Sequence, residues 1–241
     1  MAEPPLFYWI VVPAAAIGGF LRGFAGFGGP LFLVPILGLF MPPAVSVGAV
    51  MWIDLFANVR LLPEARAESS RSVVIPLTIG TAIGMPLGVE ILLAVEPFLM
   101  KKVVCGSILA VVVVLLTGWR YRRHPGTALC GGIGAVSGLV MGATSIAAIT
   151  PLFLGAGSHT AAQNRANFIV WAFLATVLLL FLLAAHDVLT AGSALMIAIL
   201  VLPYLAGVMV GSRLQRTAAD MTARRVVLAL IGATAIAGLV F

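Results

Sequence analysis

The stretch that decides the fold of this chain reads GGFLRGFAGFGGPLFLVP and covers residues 18–35. It lies in an apolar region, but its glycines and Pro30 interrupt the pattern of a continuous helix. A second apolar run, residues 31–41, follows the break and is too short to cross a bilayer. Backbone groups exposed by such a break survive at membrane depth only where protein or a water-filled cavity satisfies them. The stretch therefore predicts a membrane helix over residues 7–27 that breaks, followed by a short half-helix.

The composition is that of a membrane protein. Of the 241 residues, 62% are hydrophobic and 9% are charged, and the mean hydropathy is +1.17. A soluble domain has about 25% charged residues, and most apolar runs here approach the roughly 20 residues that cross the hydrocarbon core. We therefore expect an all-α, multi-pass protein of the cell (inner) membrane. A soluble enzyme and a disulfide scaffold are both excluded.

The charged residues and cysteines carry no sign of a nucleic acid, a metal or a cofactor. The formal net charge is +6, but the basic residues form short clusters between apolar runs, as in membrane loops. The two cysteines, Cys105 and Cys130, lack metal-ligand spacing. A nucleotide-binding P-loop is also missing. We expect the lipid bilayer and a small anion as partners, no nucleic acid, and no enzymatic activity.

A second break, GATS over residues 142–145, precedes another short apolar run, residues 146–155. Gly26 and Gly142 are 116 positions apart in the sequence. Each break is followed by the same order of features: half-helix, helix, helix with a G-x-x-x-G motif, basic pair and last helix. This order indicates an internal duplication.

The duplication predicts a first transmembrane repeat, residues 1–120, and a second, residues 126–241, joined by a basic linker. If each half-helix and the segment after it form a re-entrant hairpin, each half has three full crossings. Ten arginines then share one face, and the opposite face keeps only Lys101 and Lys102. The positive-inside rule then favours inverted repeats with both termini outside the cytoplasm. Residues 160–185 could also cross the bilayer outright, so that alternative stays open.

Paired broken helices are the best sequence indication of a substrate site near the midplane. Free amides at the start of a half-helix, together with its dipole, bind an anion without a charged side chain. Thr144 and Ser145 would add two hydroxyl donors. The substrate contacts predicted at the two breaks are Gly26, Phe27, Gly28, Gly29, Gly142, Ala143, Thr144 and Ser145. The alternative is that the glycines only permit close helix packing.

Ionisable residues inside apolar spans are costly and are therefore candidate functional residues. Arg22 lies one helical turn before Gly26, where it either contacts the anion or snorkels to the interface. Asp54 and Asn58 share one helix face and would form a proton or cation relay, or a structural hydrogen bond to a break. Glu90 is a further candidate for ion coupling, with an interfacial position as its alternative.

The second half also contains a polar cluster just before residue 168. Its candidate substrate contacts are Asn164, Arg165 and Asn167. Amides combined with an arginine suit the recognition of a small oxyanion. The alternative is an ordinary polar loop and helix cap.

Two matching motifs carry a resemblance to a known family. They comprise the glycine-rich residues 18–29 with Pro35 and Ala44, and then Gly131, Gly132, Gly134, Gly138, Gly142, Pro151 and Ala162. This pattern resembles the TauE/SafE family and covers nearly the whole chain. The resemblance implies export of a small sulfur-containing anion such as sulfite, sulfoacetate or another organosulfonate. The chain departs from it at Thr144 and Ser145, where many members keep a Gly-Gly pair.

We therefore expect a secondary exporter that holds its anion at the half-helix tips and works by alternating access. An interior-negative potential favours anion exit by about 2.3 kcal/mol per charge per 100 mV. One alternative is a proton-coupled transporter of a small carboxylate, with Asp54 or Glu90 as the proton carrier. Others are a membrane scaffold without transport and, less favoured, a channel.

Overall fold

A computed structural model describes residues 5–26, 28–117, 126–154, 160–188, 191–217 and 221–240. Within these residues the chain is helical and contains no strand, which confirms the all-α prediction. Seven of the described helices are long and apolar enough to cross a membrane. The helices are α1 (Pro5–Ala25), α2 (Gly28–Leu37), α3 (Pro43–Glu68), α4 (Arg71–Ala94), α5 (Pro97–Leu116), α6 (Thr127–Thr144), α7 (Ile149–Leu154), α8 (Ala161–Ala185), α9 (Ala191–Thr217) and α10 (Met221–Val240).

The first break turns the chain back on itself. Gly28, at the start of α2, packs on Leu21 of α1, and further along α2 Leu33 lies beside Gly18. The rings of Phe7 and Phe40 then meet edge to face, with centroids 5.2 Å apart. The short α2 therefore runs antiparallel to α1 and returns toward the end where α1 begins.

The chain between the helix and the half-helix is longer at the second break than at the first. The half-helix α7 begins at Ile149, three residues later than the predicted start at residue 146. Ser145 follows α6 in a left-handed conformation with φ of 61°, and its amide bonds to the carbonyl of Met141. The α7 helix contacts both α6 and α8. The half-helix exists as predicted but is shorter, with only six residues.

Long continuous helices follow both breaks, and this corrects the expected hairpin. Residues 43–68 form one helix of 26 residues, and residues 161–185 form one of 25. Each rises close to 40 Å at about 1.5 Å per residue, which is enough to cross the bilayer. The fold-back in the first half is therefore made by α1 and α2, because α2 packs along α1. Since α1 and α6 are themselves among the seven candidate spans, the structure does not test the premise of three crossings per half, and the predicted orientation stays a prediction.

The two halves pack together through glycine-rich faces. A Cβ atom at Gly19 or Gly23 of α1 would collide with the backbone of α9, at Tyr204 and Val208 respectively. On the other side, Gly84 of α4 lies against the backbone of α6. Both pairs run parallel, since residue numbers increase together along each contact. The helices approach this closely because their contacting residues are small.

The long helices α3 and α8 run antiparallel in the centre. Near the end of α3, Leu61 and Ala65 pack against Ala166 and Ile169, near the start of α8. The start of α1 and the end of α2 lie beside the beginning of α3, whereas α6 starts beside the end of α3. The α1–α2 pair and α6 therefore approach the centre from opposite ends of the molecule. The tips of the two breaks therefore meet in the middle of the molecule.

Candidate functional site

A small central cavity lies where the two breaks approach each other. It contains about 270 Å³ of space not filled by atoms, part of it open to the outside, and its enclosed room is about that of one water molecule. It is lined by Arg22, Pro30, Met51, Asp54, Met141, Ser145, Ala147, Phe168, Ala172 and Thr176. These residues come from α1, α2, α3, the end of α6 and the chain after it, and α8. Asp54 and Thr176 lie near the middle of their helices, so the cavity is at the depth expected for a transporter substrate site.

The cavity wall contains a buried ion pair. Arg22 Nε donates to Asp54 Oδ1 over 2.8 Å, and the two side chains are only 2% and 6% exposed. Asn58 joins both partners, because its Oδ1 accepts from Arg22 Nη2 and its Nδ2 donates to Asp54 Oδ2 over 3.1 Å. Tyr204 of α9 donates to Asp54 Oδ1 over 2.6 Å. The four side chains form one network that connects α1, α3 and α9.

One nitrogen of this network remains available. Arg22 Nη1 is buried and has no hydrogen-bond partner. The ring of Phe168 lies 5.9 Å from the guanidinium carbon, within the range of a cation–π contact. A buried guanidinium N–H without a partner is costly. Arg22 therefore offers an unused, charge-assisted donor at the wall of a cavity.

The opposite wall is formed by the break after α6. The Ser145 hydroxyl donates to the carbonyl of Thr144 over 2.6 Å, and the Thr144 hydroxyl donates to Val140 over 2.7 Å. Residues 145–147 are outside any helix. Of the predicted contacts at this break, Ser145 lines the cavity, and Thr144 lies next to it as a buried helix end.

The break after α1 contributes both open and tightly packed positions. Gly26 has φ of +87°, and a Cβ there would meet nothing within 4 Å. Gly29, in contrast, packs directly against the Tyr204 hydroxyl and the Arg22 side chain. Gly28 is also buried and packs on Leu21. The predicted contact Phe27 lies outside the described residues.

Other predicted site residues are not at the cavity. A Cβ at Gly142 would collide with the backbone of α4 near Met85, so this glycine serves helix packing. Ala143 is buried beside Gly88 of α4. Gly26, which follows α1, has a positive φ, and the residue with a positive φ after α6 is Ser145. The sequence spacing of 116 had instead paired Gly26 with Gly142. The difference arises because α6 continues to Thr144, three residues beyond its predicted end.

The polar cluster of the second half lies at the start of α8. Asn167 is fully buried, and its Oδ1 accepts from the amide of Ser70, which precedes α4, over 2.6 Å. Asn164 is half-buried and Arg165 is exposed, and both lie between one and one and a half turns after the N-cap Thr160. None of the three lines the cavity. All three therefore lie in the first two turns of α8, away from the cavity, which agrees with the alternative interpretation of a polar loop and helix cap.

Glu90 is also distant from the cavity. It is exposed near the end of α4, and its Oε1 lies 3.4 Å from Nε2 of His186, just after α8. This is the interfacial position given as its alternative. Asp54 and Asn58, in contrast, are both in the network around Arg22.

Several important residues were missed by sequence reasoning. Tyr204 was not distinguished from the apolar residues around it, although a fully buried tyrosine hydroxyl usually has a partner. Thr176 and Phe168 lie in a long apolar helix, where single residues give no periodic signal. The one available signal was the position of Tyr204 three residues before Gly207, on the helix face that packs on α1.

Residues 11–238 match the family model described as Sulfite exporter TauE/SafE. The chain belongs to the TauE/SafE family. The match covers both halves, both breaks and all residues of the cavity wall. No curated protein and no solved structure gives a significant match. As a TauE/SafE protein the chain is a multi-pass membrane permease of a family of sulfite and sulfur-anion exporters, in agreement with the transport class expected from its sequence.

Proposed function

We propose that this TauE/SafE protein exports a small sulfur-containing anion, such as sulfite, sulfoacetate or another organosulfonate, through the central cavity. The observation that supports this most directly is the unpartnered Nη1 of Arg22 at the cavity wall. An oxyanion would accept from this nitrogen and satisfy a buried charged donor. Charge-assisted hydrogen bonds of this kind are the strong ones in proteins.

The remaining polar groups fit the same ligand. Ser145 and Thr176 both line the cavity, and the Ser145 hydroxyl would turn from the carbonyl of Thr144 to donate to the ligand. The start of α2 at Gly28 and Gly29 lies beside Arg22. Amides at a helix start favour negative charge. The anion would therefore bind between the tips of the two breaks, with Arg22 as its one charged contact.

The packing of the halves supports transport by alternating access. Both contacts join the two halves: α1 of the first half packs on α9 of the second, and α6 of the second half packs on α4 of the first. One break follows α1 and the other follows α6, so each break lies at the end of one such pair. Two inverted repeats would produce this arrangement. In the proposed cycle each break moves with its partner helix, so that the cavity opens first to one side and then to the other. The membrane potential favours outward movement of an anion.

The test is anion flux into proteoliposomes at a fixed membrane potential, with sulfite, sulfoacetate, sulfate and lactate as substrates. We expect saturable movement of a sulfur anion that is lost in Ser145→Leu, because the leucine fills the cavity. The matched control is Gly132→Leu in α6, the helix that Ser145 follows, since Gly132 is exposed and has open space around its Cβ position. Equal loss in both variants would contradict a site at Ser145.

Two other results would replace the proposal. Movement of lactate alone, with uptake of protons, would favour the carboxylate transporter, and Asp54 would then be its proton carrier because it is the carboxylate at the cavity. Glu90 does not fit that role, since it is exposed and pairs with His186. Movement of no anion by correctly folded protein would favour the scaffold.

A further inference from the structure

The charges at the central cavity cancel. Among the residues that line it, Arg22 and Asp54 are the charged ones, and they are bonded to each other. The other polar lining residues, Ser145 and Thr176, are neutral. A bound anion therefore enters a site whose own net charge is zero, although it contains an arginine.

Asp54 and Asn58 occupy two of the arginine's three nitrogens. Oδ1 of Asp54 accepts from Nε and Oδ1 of Asn58 accepts from Nη2, so that Nη1 is the nitrogen without a partner. A guanidinium with a free edge binds an oxyanion through two parallel hydrogen bonds. Here the Nε edge is occupied by Asp54, and a ligand at Nη1 shares the positive charge with that carboxylate.

The carboxylate is also held in place. Besides Arg22, Asp54 accepts hydrogen bonds from Tyr204 on α9 and from Asn58 one turn further along α3. Tyr204 bonds Oδ1 and Asn58 bonds Oδ2, so both carboxylate oxygens are held and movement of Asp54 away from an incoming anion is opposed. The repulsion between Asp54 and the ligand is therefore a permanent property of the site, and at low dielectric it is strong.

From these contacts we infer that Asp54 determines the charge of the transported anion and restricts the site to singly charged species. Arg22 and Asp54 together tolerate one negative charge that is satisfied by Nη1 and the neutral donors. For a dianion the attraction of Arg22 and the repulsion of Asp54 both double and still oppose each other. The cost of removing its second charge from water, in contrast, rises more steeply than the charge and has no second positive group to offset it. The site then accepts hydrogensulfite or a sulfonate with one charge, such as methanesulfonate, and rejects sulfate, which is similar in size and in oxygen geometry. It also rejects sulfoacetate, which has two charges, so the inference narrows the proposed set of substrates. This inference rests on the proposed function.

The experiment compares methanesulfonate and sulfate, two tetrahedral anions that differ in charge, in proteoliposomes under equal driving force. We expect the wild-type protein to move methanesulfonate at least about tenfold faster than sulfate. In Asp54→Asn the site gains one net positive charge. Because a dianion gains twice as much from this change as a monoanion, the ratio of the two rates should fall at least about fivefold.

The control for a change of protein charge is Glu90→Gln, which removes an exposed carboxylate away from the cavity and should leave the ratio unchanged. Asp54→Ser provides a second neutral replacement if Asp54→Asn does not fold. Equal rates for the two anions in the wild type, or an unchanged ratio in a folded Asp54 variant, would overturn the inference and leave the proposed function intact. If the wild type moves neither anion, nor sulfite, the proposed function itself fails.

Discussion

The hydroxyl of Tyr204 donates a 2.6 Å hydrogen bond to Oδ1 of Asp54, the same oxygen that receives Nε of Arg22. These three residues belong to α9, α3 and α1. The α9 helix comes from the second half of the chain, whereas α1 and α3 come from the first. The ion pair at the cavity is therefore stabilised across the contact between the two halves, and any movement of α9 relative to α3 changes its surroundings.

Loss of this hydroxyl should destabilise the protein. In Tyr204→Phe a buried carboxylate loses one donor, and hydrogen bonds to charged groups contribute about 1.5–3 kcal/mol. We expect the free energy of unfolding in detergent to fall by about this amount. The control is Thr78→Val, which removes a hydroxyl that bonds only to Val74 of its own helix. If both substitutions have the same small effect, the Tyr204 bond is not important for stability.

The ion pair predicts a rescue between two substitutions. Arg22→Met leaves Asp54 buried without its cation, and breaking a buried pair in this way costs about 3–5 kcal/mol. The double variant Arg22→Met with Asp54→Asn removes both charges and should recover most of that loss in thermal unfolding. We expect transport to stay absent in both, because the charged contact for the anion is gone. A double variant as unstable as the single one would contradict the pairing.

Sequence reasoning identified the parts of this site but not their arrangement. The break at residues 26–30 was predictable because glycine and proline end helices locally, and Asp54 and Asn58 were predictable as one face because they are four residues apart. The contact of Arg22 with Asp54 spans 32 residues, and that of Tyr204 with Asp54 spans 150. Such contacts depend on how the chain folds back, which local patterns do not encode.

The second break illustrates the same limit at smaller scale. A spacing of 116 aligned Gly26 with Gly142, but α6 continues to Thr144, and Ser145 has the positive φ. Because this residue is a serine and not a glycine, the sequence does not indicate that it adopts a positive φ. The helix end was therefore placed three residues too early.

The glycines around the first break should respond differently to alanine. Gly29→Ala places a methyl group against the Tyr204 hydroxyl and Arg22, so we expect a loss of about 1–3 kcal/mol and of transport. Gly26→Ala has open space, and only its left-handed backbone costs about 1–2 kcal/mol. Gly132→Ala, in an exposed helix position with open space, should gain about 0.5–1 kcal/mol. Thermal unfolding would rank the three, and a stable, active Gly29→Ala protein would contradict the packing at Tyr204.

The predicted orientation can be tested with two exposed positions at opposite ends of the α4–α5 region. Arg71 begins α4, whereas Lys102 lies in the second turn of α5, beyond the other end of α4. The positive-inside rule places Arg71 in the cytoplasm and Lys102 outside. In a background with Cys105 and Cys130 replaced by alanine, an impermeant maleimide should label Lys102→Cys in intact cells. It should label Arg71→Cys only after the membrane is opened, and the reverse pattern would place both termini in the cytoplasm.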